Sequence, residues 1–132
     1  MARKLREESP TGYYHVMTRG INKQLIFKDE KDRIKYLVSI INSLEKYKVK
    51  IICYCLMPNH THLVIYDKNK MLSKFMHSLN VRYSIYFNKK YERIGSLFQD
   101  RFRSECIKDE RQLLAAYRYV LNNPTKAGIC QP

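Results

Sequence analysis

Two apolar segments separated by a single tight turn constrain this chain more than any other feature. Residues 49–56 and 60–66 both read as strands, and only the link around Pro58 and Asn59 lies between them. So short a connection permits only antiparallel pairing, so the two segments form a hairpin. His60 and His62 stand two apart in the second strand and leave the same face of the sheet. Leu63, Val64 and Ile65 after them mark that strand as buried. Two imidazoles on a stiff backbone make half of a metal site, or else a pair of histidines satisfied by hydrogen bonds on the sheet.

The elements around the hairpin follow from periodicity. Residues 13–19 alternate as a strand, with Tyr14, Val16 and Thr18 on one side and His15, Met17 and Arg19 on the other. Asp29 caps a helix reaching about Tyr47, with Ile34, Leu37, Val38, Ile41 and Leu44 as its apolar stripe. A second long helix carries Leu72, Phe75, Met76, Leu79, Tyr83, Tyr86 and Phe87. Residues 104–108 suit a fourth strand, and Asp109 caps a last helix ending near Asn122, before Pro124 and Gly128. The order strand, helix, strand, strand, helix, strand is that of an α+β, ferredoxin-like (RRM-like) split βαβ antiparallel sheet, with the last helix added at its C-terminal end. In that fold the first and third strands are central neighbours, so His15 or Arg19 can lie beside His60 and His62.

With 132 residues the chain is expected to form a single domain, 1–132, preceded by a basic, loosely ordered arm over residues 1–12. No apolar run is long enough for a membrane helix, and the first residues lack the apolar core of an export signal. A cytoplasmic protein with four free thiols (Cys53, Cys55, Cys106 and Cys130) is therefore expected. Cys53-x-Cys55 is spaced too closely for the usual zinc hairpin.

The 25 Lys and Arg exceed the 12 acids by 13, which favours a polyanionic partner. The segment 89–103 interleaves cations with rings. Lys89, Lys90, Arg93, Arg101 and Arg103 are candidate phosphate contacts, and Tyr91, Phe98 and Phe102 are candidate stacking faces or loop anchors. On the last helix, Leu113, Leu114, Tyr117, Val120 and Leu121 form the core stripe. Tyr119 lies about 200° round from Tyr117, and Asn123 falls beneath Tyr119. A tyrosine and an amide on the off-core face point either to solvent or to a site.

Met57-Pro58-Asn59-His60-Thr61-His62-Leu63, Gln99-Asp100-Arg101-Phe102 and Tyr119-Val120-Leu121-Asn122-Asn123-Pro124 occur in an order that resembles the single-tyrosine transposases with an HUH motif. These are the IS200-like transposases, and the likeness is closest to their REP-associated branch. It covers roughly residues 13–130. The resemblance implies that His60 and His62 bind a divalent metal, magnesium or manganese, that Asn123 completes the site, and that Tyr119 is the nucleophile. It also implies a single-stranded DNA partner bearing a hairpin, held in part by Arg19 and Gln99, and a possible homodimer. Strand cleavage through a 5′-phosphotyrosine link would then be the reaction. Thr61 stands where relatives carry a large aliphatic residue, and it points to the other face of the strand. A tail found in many relatives is not seen after Pro132. The alternative is a non-catalytic module that stacks single-stranded nucleic acid on its sheet, or a domesticated relative that only binds repeats.

Overall fold

The computed structural model describes residues 6–122 and the backbone of Ile129–Gln131. Its elements are β1 (Tyr13–Arg19), α1 (Glu30–Tyr47), β2 (Lys50–Met57), β3 (His60–Tyr66), α2 (Leu72–Lys90), β4 (Arg103–Ile107), α3 (Glu110–Asn122) and β5 (Ile129–Gln131). The sheet runs β4-β1-β3-β2-β5, with every pairing antiparallel. The first four of these strands are in the ferredoxin-like order, and the fold is the α+β class expected.

Alternation along the strands divides the interior in two. On one face Tyr14, Val16, Leu56, Leu63 and Ile65 pack with Tyr36 and Ile40 of α1 and with Phe75, Met76, Leu79, Tyr83 and Phe87 of α2. On the other, Cys53, Cys55, Val64 and Ile107 pack under α3 through Val120, with Leu113, Ala116, Tyr117 and Leu121 around it. Thr61 faces the α1–α2 side, where its hydroxyl lies 3.5 Å from that of Tyr36.

Three expectations are corrected. Most of the stripe assigned to the core on α1 faces outward: Ile34 is 52%, Val38 42% and Ile41 64% exposed, while Leu37 and Leu44 pack at the edge of the core. The period is right and the phase is wrong, because α1 buries Asp32, Tyr36, Ser39, Ile40 and Ser43 instead. A large ring and a fully bonded carboxylate outweigh the aliphatic stripe. Asp32 accepts hydrogen bonds from Lys28 N, Tyr86, Lys90 and Tyr91. Burial pushes its pKa up, but these donors pull it down further, to about 2. Asp32→Ala should lower unfolding free energy by about 2–3 kcal/mol in denaturant titrations, the modest end for a broken buried pair because the Lys90 ammonium keeps contact with water. Lys90→Ala should cost less.

The second correction is the short strand β5, which pairs with the outer edge of β2 through Leu56–Ile129, Cys55–Cys130 and Tyr54–Gln131. Three residues are too few to show alternation, but an open edge offers unpaired backbone groups that recruit them. Thirdly, Cys55 is disulfide-bonded, and only Cys53 and Cys106 among the described side chains are free thiols.

The lead-in is also tied down where described. Ser9 Oγ donates to Ile107 O at 2.9 Å, and Asp67 N donates to Gly12 O at 2.7 Å. The Arg6 guanidinium lies 3.6 Å over the Phe102 ring. Among the described residues, no helix is long and apolar enough to cross a membrane.

Candidate active site

The site is built where β1 and β3 run side by side. Their register sets Arg19 against His60 and Met17 against His62, all on the α3 face of the sheet. The turn before β3 is held by the chain leaving β1. Gly20 N donates to Asn59 O at 2.9 Å, and Ile26 N to Pro58 O at 2.8 Å. That loop folds back so tightly that a Cβ on Gly20 would lie 2.3 Å from Gln24 O. Only glycine admits this approach, and the approach fixes the turn from which His60 projects.

Each histidine has a partner that orients it. His60 Nδ1 lies 2.7 Å from Asn59 Oδ1, an acceptor, so Nδ1 carries the proton and Nε2 keeps its lone pair. His62 Nδ1 lies 3.1 Å from His15 Nε2. If His62 donates in that bond, its Nε2 is also left with a lone pair, which is the pattern by which outer residues orient metal-ligating imidazoles. The two rings are 5.0 Å apart at 82°.

The imidazoles are kept neutral. Burial lowers the pKa of His62 to about 3, assisted by the positive charge of His15, His60 and Arg19 when they are protonated. Burial and then Arg19 lower that of His60, and burial lowers that of His15 against the opposing pull of Glu105. Neutral imidazole is the form that binds metal. A folded pKa below the unfolded value means that the unfolded chain takes up more protons on acidification. The contribution of His62 is therefore fully present above about pH 6.5 and lost as pH falls toward 3. Unfolding free energy should decline over that window, and His62→Gln should flatten the decline.

Helix α3 delivers the tyrosine from the same chain. The Tyr119 ring is 5.6 Å from that of His62 and 5.8 Å from that of His15, and it is 53% exposed. Val120 beside it is fully buried, so the helix is anchored on the sheet while Tyr119 stands at its flank. Together Arg19, Lys23, Asn59, His60, His62, Gln99 and Tyr119 line one cleft of about 420 Å³. Arg101 and Arg103 line an adjoining hollow that shares Arg19 and Gln99 with it.

The remaining candidates lie elsewhere. Lys90 pairs with Asp29 and Asp32 at 2.8 Å each, at the α1–α2 junction on the other side of the sheet. Arg93 is tied to Asn88 of α2, to Gln24 in the segment after β1 and to Ser96 of its own loop. Lys89 is exposed at the end of α2. Phe98 and Phe102 are buried and anchor the loop that carries Gln99 and Arg101. Asn123 lies outside the described residues. Among the described residues no group of three or more His, Cys, Asp or Glu is placed to hold a metal ion, so the histidine pair needs further donors of another kind. His15 stands beside His62, as the strand order allowed, whereas Asn59 and Lys23 belong to the site without having been candidates for a role in it. Asn59 had a signal, since it directly precedes the first histidine in a two-residue turn.

No curated protein matches this chain. Among solved structures it is similar to that of a REP-associated tyrosine transposase bound to a REP hairpin, with a TM-score of 0.74 and 14% identity over 94% of this chain and 73% of that one. It is also similar to a Deinococcus radiodurans R1 protein provisionally assigned as a transposase, with a TM-score of 0.60 and 13% identity over 92% of this chain and 97% of that one. At such identities the likeness is one of fold. The family described as transposase IS200-like matches residues 9–123, most of the chain, and this protein belongs to that family.

Proposed function

We propose that this transposase cuts and rejoins single-stranded DNA through a covalent link to Tyr119. The observation that carries the reading is the meeting of Tyr119 with the neutral pair His60 and His62 in one cleft rimmed by Arg19, Lys23 and Gln99.

The donor set fits a divalent ion: two neutral imidazoles on one sheet face, each with its second nitrogen engaged. His60 and His62 would hold it, with Asn123 as the proposed third ligand, and manganese suits this nitrogen-rich set at least as well as magnesium. When bound, the ion withdraws charge from the non-bridging oxygens of the scissile phosphate.

The chain's own groups do the rest. Arg19 and Lys23 attract the backbone phosphate into the cleft and set its position. The Tyr119 oxygen attacks phosphorus, the bond to the 3′ oxygen breaks, and the phenolic proton is balanced by the one gained at the departing 3′ hydroxyl. The 5′ phosphate stays on Tyr119. Attack by a 3′ hydroxyl of another strand reverses these steps, so one phosphodiester is exchanged for another with no net hydrolysis. Arg101 and Arg103 extend the basic rim along the strand outside the cleft. The REP hairpin bound by the similar transposase supports a hairpin-bearing strand as the substrate here.

The test is incubation of the protein with manganese and a hairpin-bearing single strand labelled 3′ of the cut. A label that stays with the protein through denaturing electrophoresis is the expected result. Free cleaved DNA without protein attached would instead indicate hydrolysis. Affinity should also fall with salt. Four rim cations on single-stranded DNA predict a log–log slope of about −3. A flat dependence would remove the rim from the interface.

A further inference from the structure

The loop over residues 91–96, after α2, lines no part of the cleft, yet it is closely braced. Arg93 donates to the side chain of Asn88, to Gln24 Oε1 at 3.0 Å and to Ser96 O at 3.2 Å. Asn88 Nδ2 donates in turn to Gly95 O at 2.9 Å, and Arg93 N to Asn88 O at 2.9 Å. Glu92 and Gly95 take positive φ angles of 52° and 95°, which turn the chain outward and back. Held between them at the tip is Ile94, 99% exposed. A Cβ on Gly95 would meet nothing within 4 Å, so the tip stands clear of the rest of the protein.

The bracing also fixes this tip beside the cleft. Gln24, held by Arg93, directly follows Lys23 of the cleft wall. The chain leaving the loop runs along the same segment: Ile21 N donates to Leu97 O at 2.9 Å, and Gln99 N to Arg19 O at 2.9 Å. Gln99 is itself in the cleft wall. Five residues of chain reach at most about 18 Å, so Ile94 lies within that distance of it.

A single exposed aliphatic is ordinary where it lies flat on a surface. Ile94 instead projects from a rigid mount. We propose that it is a wedge for double-helical DNA, seated on the last base pair of a stem where one strand leaves the duplex for the cleft. Its surroundings select this occupant. Glu92, Arg93, Gly95 and Ser96 beside it add no apolar surface, whereas the centre of a protein contact needs a packed cluster. One aliphatic side chain among cations is what prising apart stacked bases requires. Lys89 is exposed at the end of α2, Lys23 stands on the neighbouring segment, and Glu92 is the one acid of the loop. The bracing has a use here, because a yielding loop would move aside before a base pair did. The inference rests on the reading of the cleft as a site for single-stranded DNA, and adds where the duplex ends.

The test is binding without metal, so that it does not depend on cleavage. Two strands of equal length are compared, one ending its stem beside a single-stranded segment and one with no self-complementarity. In the first, 2-aminopurine replaces the adenine of the closing pair. The parent should bind the stem-bearing strand more tightly and raise the 2-aminopurine fluorescence as that base unstacks. Ile94→Ser should lose about tenfold in affinity for the stem-bearing strand alone, together with the fluorescence rise, and Ile94→Leu should keep both. Ile94 is 99% exposed, so both variants should melt as the parent does. A parent that does not discriminate between the strands would overturn the inference. So would an Ile94→Ser variant that binds the stem as the parent does, or one that loses equally on both strands. Those results would leave the cleft reading standing, since adduct formation on the stemless strand tests it separately. A parent that binds neither strand would bring down the cleft reading and the inference with it.

Discussion

Tyr119→Phe should abolish the covalent protein–DNA adduct and lower strand cleavage by at least about 10⁴-fold, the scale on which a removed nucleophile is felt. Phenylalanine keeps the ring and so keeps the contacts at 5.6 and 5.8 Å to His62 and His15. It deletes only the oxygen proposed to attack phosphorus. Tyr119 is 53% exposed and Val120 anchors the helix, so neither stability nor DNA affinity should move by more than about twofold. Adduct formation and binding therefore separate in this variant. An adduct that persists would transfer the role to another tyrosine. Tyr117 is the first to examine, although its place among the residues packed under α3 leaves it poorly placed to meet DNA.

His60→Ala should remove metal-dependent cleavage by about 10³-fold while leaving affinity for single-stranded DNA nearly unchanged. His60 is the cleaner of the two histidines to change. It is half-buried, and its Nδ1 bonds Asn59 in the adjoining turn. His62 is 3% exposed and bonded to His15, so its loss would add a stability cost of about 1–2 kcal/mol and blur the comparison. Calorimetric titration with manganese, free of DNA, should show the site weakened in His60→Ala. Parallel loss of cleavage and DNA affinity would favour the alternative of a stacking module with no metal chemistry. The distinction matters because Arg19 sits opposite His60 in the register, and the proposed phosphate contact and metal ligand line one cleft.

Much of the fold was legible because it is written in short-range periodicity. The β2–β3 hairpin, the Asp29 cap and the apolar stripe of α2 follow from residues within a few positions of one another. The phase of α1 was not legible. Its aliphatic stripe and its buried face share one period, and the choice between them rests on Tyr86, Lys90 and Tyr91, more than fifty residues away, which satisfy Asp32. The basic segment was legible only as a group. Arg101 and Arg103 flank the cleft, whereas Lys90 and Arg93 hold the protein's own loops together. Net charge does not say which cations have already found partners.

The sequence by itself determined that His60 and His62 share a face and that Thr61 does not, because side chains alternate along any extended strand. It also determined that Tyr119 turns away from Tyr117 and Val120 on its helix, since the helical repeat is a property of the backbone. Tertiary structure alone decided that Tyr119 stands 5.6 Å from His62 within a single chain, that His15 holds His62, and that Asn59 is clamped by Gly20. Those relations depend on the register of β1 against β3 and on the packing of α3 over the sheet, and no local repeat carries that information.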